Sequence, residues 1–320
     1  MKKTILLFIS FSLLISFSAI AQQGKPSVKV FSNFNYDMSA EEGEQAFKEF
    51  EIKRAYLGYS QAIDDKFAAK VIFDIGSNSG GSSYTAFLKI ASLNWKANEK
   101  LNINVGMIGT KNFKFMEKTW GRRYINKSAQ DKYKWASSAD AGITADYKIS
   151  NNLSIDAQVL NGEGYKNTQS ANGLFRGGFG ATYSLGNSLK LRLHQDISPR
   201  STYDDMSESQ QITTAAISYS TSFMTVGGEV DMMKNIDNVI DTEQEMMSIY
   251  GDFKISDKYT VFARYDDASE TDEEGSYTVY GIERKMAKGV TVALNMQSWQ
   301  DNDENSEAVE TLFLNLEYKF

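Results

Sequence analysis

Cysteine is absent from the 320 residues, histidine occurs once and proline twice. Without cysteine there are no disulfides, no thiolate metal ligands and no lipoprotein anchor. The single histidine, His194, rules out a histidine-rich metal site and leaves only one candidate imidazole base. No metal and no other cofactor is expected. Basic residues are outnumbered, 34 against 41 acidic, for a formal net charge of -7. That balance argues against a nucleic-acid partner. Beyond the N-terminus there is no apolar run long enough for a membrane helix.

The N-terminus itself reads Met1-Lys2-Lys3, then an apolar run from Ile5 to Ile20 broken only by serines, then Ala19-Ile20-Ala21. A basic start, an apolar stretch and a small-x-small site predict a secretory signal peptide over 1–21. The run is short of the ~20 residues that a membrane helix needs. Cleavage would leave 22–320 and take the formal charge to 32 - 41 = -9.

What the chain does have is alternation. From Val28 onward, segments of about ten residues alternate apolar and polar, the mark of strands with one face in an apolar medium. The predicted strands are Val28–Asn35, Ile52–Ile63, Phe67–Ile75, Ala86–Ala97, Leu101–Gly109, Ala139–Ile149, Leu153–Gly162 and Phe175–Leu185 in the first half. Leu189–Ile197, Ile212–Ser220, Phe223–Met233, Met247–Ile255, Tyr259–Asp266, Tyr277–Met286, Val290–Trp299 and Val309–Phe320 complete a set of sixteen. From the second strand on, even-to-odd connections are turns of two or three residues rich in Asn, Asp, Ser and Gly. Odd-to-even connections are long and polar. Tight turns at one rim and long loops at the other predict an all-β, transmembrane antiparallel β-barrel of sixteen strands. Pro26 and Pro199 fall outside the strands, as the ladder requires.

Aromatic residues support a membrane barrel over a soluble sandwich. Phe67, Trp95, Tyr147, Tyr183, Tyr219, Phe253 and Tyr259 lie within about three residues of the short turns, on the apolar parity, and Tyr318 and Phe320 do so at the chain end. Aromatics at one level form an interfacial girdle. The last strand alternates Leu312, Leu314, Leu316, Tyr318, Phe320 and ends on an aromatic, like the closing strand of outer-membrane proteins.

The other parity is polar, and charges there must point inward, because Arg or Lys facing lipid at mid-depth costs roughly 2–4 kcal/mol. The predicted lumen set is Arg54, Lys70, Asp74, Asp140, Asp146, Asp156, Arg176, Lys190, Arg192, Glu229, Asp231, Asp252, Arg264 and Glu317. In the fourth strand Leu88-Lys89-Ile90 breaks the alternation, which a bulge explains. After the fifth strand comes Thr110 to Trp135, with no strand pattern, six lysines and two arginines against Glu117 and Asp131, and six aromatics. So many aromatics argue for a folded segment. A loop folded into the pore is expected there, with Lys111, Lys114, Lys118, Arg122, Arg123 and Lys127 forming a basic constriction that concentrates anions. The alternative is an external loop in contact with solvent or acidic lipid sugars.

Arg54-Ala55-Tyr56-Leu57-Gly58-Tyr59, then Phe67 and Phe73-Asp74, and Ile90-Ala91-Ser92-Leu93 followed by Leu101 and Gly106, resemble the phosphate-selective porin O and P family. The resemblance implies a sixteen-stranded homotrimeric porin. Ile90 replaces the family's acidic residue, and Phe113 alone stands for its Pro-Phe-Gly, so phosphate selectivity is not carried over.

Other chemistry is thin. His194 and Asp196 share a face, yet no serine is singled out as a nucleophile to complete a hydrolase. Asp301, Asp303 and Asn305 begin like a calcium loop, but Ser306 and Leu312 occupy the Gly and Glu positions. Gly80-Gly81 and Gly177-Gly178 read as turn and wall glycines. The expected protein is a porin of the Gram-negative outer membrane, embedded in lipid, passing small hydrophilic solutes with a mild anion preference and catalysing nothing. The alternatives are a plugged structural or adhesion barrel working through its external loops, and a barrel hydrolase using His194.

Overall fold

Alternation becomes a closed ring of strands in the computed structural model of the chain, which describes residues 24–41, 43–77, 83–170, 172–200, 206–303 and 305–320. The expected signal peptide and Gly80-Gly81 lie outside the described residues. The strands are β1 (Lys25–Asp37), β2 (Lys48–Ala62), β3 (Phe67–Ser77), β4 (Tyr84–Lys96), β5 (Leu101–Gly109), β6 (Ala139–Lys148), β7 (Leu153–Leu160) and β8 (Arg176–Leu185). They continue with β9 (Leu189–Ser198), β10 (Gln210–Ser220), β11 (Met224–Lys234), β12 (Glu243–Lys254), β13 (Tyr259–Glu270), β14 (Gly275–Ala287), β15 (Val290–Asp301) and β16 (Val309–Lys319). Each pairs antiparallel with its sequence neighbours, and β16 closes on β1. The seam carries Val30↔Tyr318 and Phe34↔Leu314, and Val28 and Phe320 exchange backbone hydrogen bonds of 2.9 and 3.1 Å. Closure leaves no edge strand to pair with another chain.

Several strands run past the expected limits at the long-loop rim: β2 starts at Lys48, β12 at Glu243 and β14 at Gly275. The physical reason is that hydrogen bonding continues beyond the apolar band, where both faces meet water and alternation stops. At the other rim the turns repeat one device. The side chains of Asp64, Asn98, Ser150, Thr221 and Ser256 each accept backbone N–H groups two and three residues on. The two remaining turns instead use Gly186 and Gly289 at φ 61° and 77°, a conformation that favours glycine.

Burial runs opposite to that of a soluble protein. On β9, Leu191, Leu193 and Ile197 are exposed, Leu193 by 63%, while Arg192, His194 and Asp196 between them are buried to 4% or less. Only a wall with lipid outside and polar groups inside satisfies that pattern. At the short-turn level, Phe67 stacks on Trp95 with centroids 6.2 Å apart, and Phe223 meets Phe253 edge-on at 5.8 Å.

The irregularity in β4 is a bulge. Ile72 pairs with Ile90 and Phe73 with Leu88, so Lys89 is the extra residue. A second bulge leaves Lys53 unpaired in β2, where Phe31 faces Arg54 and Ser32 faces Ile52. Both bulges turn a lysine inward: Lys89 Nζ lies 3.5 Å from Asp74, and Lys53 Nζ donates to the Ile125 carbonyl at 3.2 Å.

Candidate functional site

The segment after β5 carries two helices, α1 (Lys111–Trp120) and α2 (Ala129–Lys132), that alternation alone does not announce. In α1, Phe113, Met116 and Trp120 recur at helical spacing and are buried. Gly121 ends the helix at φ 67°, its N–H donating to the Glu117 carbonyl. Trp120 packs edge-on against Tyr250 of β12 and Phe262 of β13, with centroids 5.9 and 6.2 Å away. Beyond it, Tyr124 and Ile125 join Phe31, Tyr277 and Val279 in one apolar cluster. Gln130, at α2, donates to Thr214 and Asp231, both at 2.6 Å. The Tyr133 hydroxyl donates to Asp266 at 3.2 Å. These partners stand on widely separated strands of a closed wall, so the segment sits among side chains of the inner face.

The six expected constriction cations divide into two groups. Lys111 is buried with Nζ 2.5 Å from Asp146, its N–H donating to Gln158 at 2.7 Å and its carbonyl accepting from Arg192 at 3.0 Å. Burial lowers its pKa against the pull of Asp146. Arg122 bridges Asp252 at 2.8 Å and Glu283 at 3.1 Å. Arg123 meets Asp131 at 2.6 Å and Glu117 at 3.0 Å, and Lys127 reaches Asp131 at 3.5 Å. Lys111 and Arg122 tie the segment to the wall, whereas the ion pairs of Arg123 and Lys127 lie within the segment, Arg123 reaching the wall only through the Tyr56 hydroxyl at 3.3 Å. Lys114 and Lys118 are exposed, with no ion pair among the described residues.

The wall cations divide likewise. Arg54 pairs with Asp74 at 3.0 Å, and Asp74 also takes the Tyr165 hydroxyl at 2.6 Å. Arg176 pairs with Asp196, Arg192 with Asp156 at 2.7 Å, and Arg264 with Asp266 at 2.6 Å. Lys190 has no such partner among the described residues and lines a cavity with Lys114 and Lys118. His194 lies between Arg192, 3.1 Å from Nδ1, and Asp196, 3.5 Å from Nε2. No hydroxyl is hydrogen-bonded to it among the described residues. Its surroundings therefore lack the nucleophile half of a hydrolytic pair. Sequence reasoning missed Glu283, which shares the lumen parity of Tyr277, Val279 and Gly281, and the bulged Lys53, which parity alone misassigns.

No protein-family model and no curated protein matches the chain. Solved structures do. The anion-selective porin from Comamonas acidovorans superposes with a TM-score of 0.70 at 11% identity, covering 93% of this chain and 99% of that one. Salmonella typhi OmpF, in its complex with daunomycin, gives 0.67 at 10% identity over 93% and 98%. The trimer form of in-vitro-folded OmpT, an outer membrane protein of Vibrio cholerae, gives 0.63 at 12% over 93% and 99%. The chain shares their barrel fold. At these identities the likeness carries architecture alone.

Within the barrel two chambers remain beside α1. One of about 640 Å³ is bounded by Lys29, Lys70, Ser92, Asn104, Thr144 and Glu317, among others. The other, about 470 Å³, is bounded by Asp146, Asp156, Ser184, Lys190, Ser218 and Ser220, among others. Lys111, Lys114 and Lys118, at helical spacing on one face of α1, border both. Such walls offer hydroxyls, amides and fixed charges to a hydrated solute, beside apolar side chains such as Phe113 and Phe115.

Proposed function

We propose that the chain is an outer-membrane porin that passes small hydrophilic solutes by diffusion, with a mild preference for anions. The observation that carries this reading is the basic face of α1, with Lys114 and Lys118 in no ion pair among the described residues and bordering both chambers. A fixed positive charge beside a low-dielectric wall raises the local concentration of anions. Carboxylates such as Asp146 and Glu317 border the same chambers, which keeps the preference mild. The proposal stops at anions as a class. It includes removal of residues 1–21 during export, a barrel over 22–320 with a constriction over 110–135, and assembly as a homotrimer. It contains no catalytic step.

The test is reversal potential in a planar bilayer under a KCl gradient. Lys114→Gln with Lys118→Gln should shift the potential toward the cation side while the loop stays seated, because neither residue anchors it. An unchanged potential in that double variant would remove the constriction from the ion path. The full set of Lys111, Lys114, Lys118, Arg122 and Arg123, all changed to Gln, should in addition alter conductance, since it cuts the anchors as well.

A further inference from the structure

Charge is separated along the barrel axis. On the long-loop side, 267–274 holds Asp267, Glu270, Asp272, Glu273 and Glu274 with no lysine or arginine, and 235–245 and 301–310 are likewise acidic without a basic residue. A cavity of about 330 Å³ at that end is bounded by Asp237, Asp272 and Glu273 with Lys134. The short-turn side leans the other way, although Asp64, Asp65, Glu99 and Asp257 are exposed there too. Lys66, Lys96, Lys148, Lys254, Lys258 and Lys319 are exposed, and each stands beside a girdle aromatic in sequence. Above them, Lys29, Lys70, Lys114, Lys118 and Lys190 border the two inner chambers.

The two zones are far enough apart to act separately. A strand of 12 residues such as β13 extends roughly 40 Å, or roughly 30 Å along the axis at the usual tilt of a transmembrane barrel. At 0.1 M salt charges are screened over about 10 Å, so neither zone cancels the other. The long-loop mouth then gathers cations and the inner chambers gather anions.

From this we infer that the channel rectifies: it conducts better when the long-loop side is positive than when it is negative. With the long-loop side positive, cations enter through the acidic mouth and anions through the basic one, and both accumulate where the zones meet. With the polarity reversed, each ion must enter through the zone of its own sign, and the meeting region is depleted. Net flow of a charged solute thereby acquires a preferred direction under a potential. The inference rests on the channel reading above.

The experiment is single-channel current at equal and opposite voltages in symmetric KCl. Orientation is fixed by Ser306→Cys, labelled from one chamber by a neutral maleimide polymer; the chain has no other cysteine to react. At 0.1 M KCl the current with the long-loop side positive should exceed the reverse roughly twofold, and the ratio should approach one in 1 M KCl, where screening acts within about 3 Å. The variant carrying Asp237→Asn, Asp272→Asn, Glu273→Gln and Glu274→Gln should lose the asymmetry at 0.1 M. Equal currents at low salt, or a ratio of opposite sense, overturn the inference and leave the channel reading intact. A folded barrel that never opens overturns both.

Discussion

Arg122 is the residue on which the seat of the loop depends most. Its guanidinium meets two carboxylates on different strands, Asp252 on β12 and Glu283 on β14, and lies 5.0 Å from the Phe262 ring centroid. The Tyr124 hydroxyl donates to the same Glu283 at 3.0 Å. Removing the cation leaves both acids facing each other in a water-poor corner. Arg122→Ala should therefore cost about 3–5 kcal/mol of loop docking, the range for breaking a buried pair from one side. Arg122→Lys should recover only part, because one ammonium cannot fork between two carboxylates as a guanidinium does. Limited trypsin digestion at Lys118, Arg123 and Lys127 in folded barrels reads this directly. A variant as resistant as the parent would show that the pair does not hold the loop.

Lys132 illustrates a different kind of anchor at the same scale. Its Nζ lies 4.0 Å from the Tyr133 centroid, 4.1 Å from Tyr277 and 4.9 Å from Trp299. Burial pushes its pKa down to about 8 although Asp266 acts to raise it. The ammonium donates to the Tyr133 hydroxyl at 2.8 Å and meets the wall at the Tyr277 and Trp299 rings. That arrangement is not legible in the sequence, because the three rings, Tyr133, Tyr277 and Trp299, are far apart along the chain and share no local pattern.

At the scale of the element, each strand is written for two solvents, which makes a single position testable in isolation. Leu193 projects outward at 63% exposure, whereas Ser184, on the lumen side of β8, borders an inner chamber. Leu193→Arg should destabilise the folded barrel by roughly 2–4 kcal/mol in urea titrations from lipid, and Ser184→Arg by less than 1. The second variant should instead reduce conductance. Equal costs at the two sites would contradict the assignment of the outer face to lipid. Strand periodicity is also why so much of the fold was readable. A period of two fixes which face is which, and the break at Leu88-Lys89-Ile90 marked the bulge. The helix α1 is less legible, since Phe113, Met116 and Trp120 are only three apolar positions scattered among lysines. The ion pairs leave no local trace either: Arg122 and Glu283 are 161 residues apart, and only the closed ring brings them together.

For the whole molecule the question is how much of the lumen the loop leaves open. Its residues bond or pack against β2, β6, β7 and every strand from β9 to β16, so it subdivides the interior instead of lining one side. The wall does not depend on it for closure, since every strand is paired around the ring without it. Replacing 111–134 by a short Gly-Ser linker should thus give a folded barrel with severalfold higher conductance and little ion selectivity, because a sixteen-stranded wall alone encloses an aqueous channel. The same variant separates the porin from the plugged barrel. In a porin the parent conducts and the deletion conducts more. In a plugged barrel the parent is silent and the deletion opens it. A folded deletion variant with the parent's conductance would mean that solutes bypass the loop altogether, and the narrowest point would then lie at the wall lysines of the inner chambers.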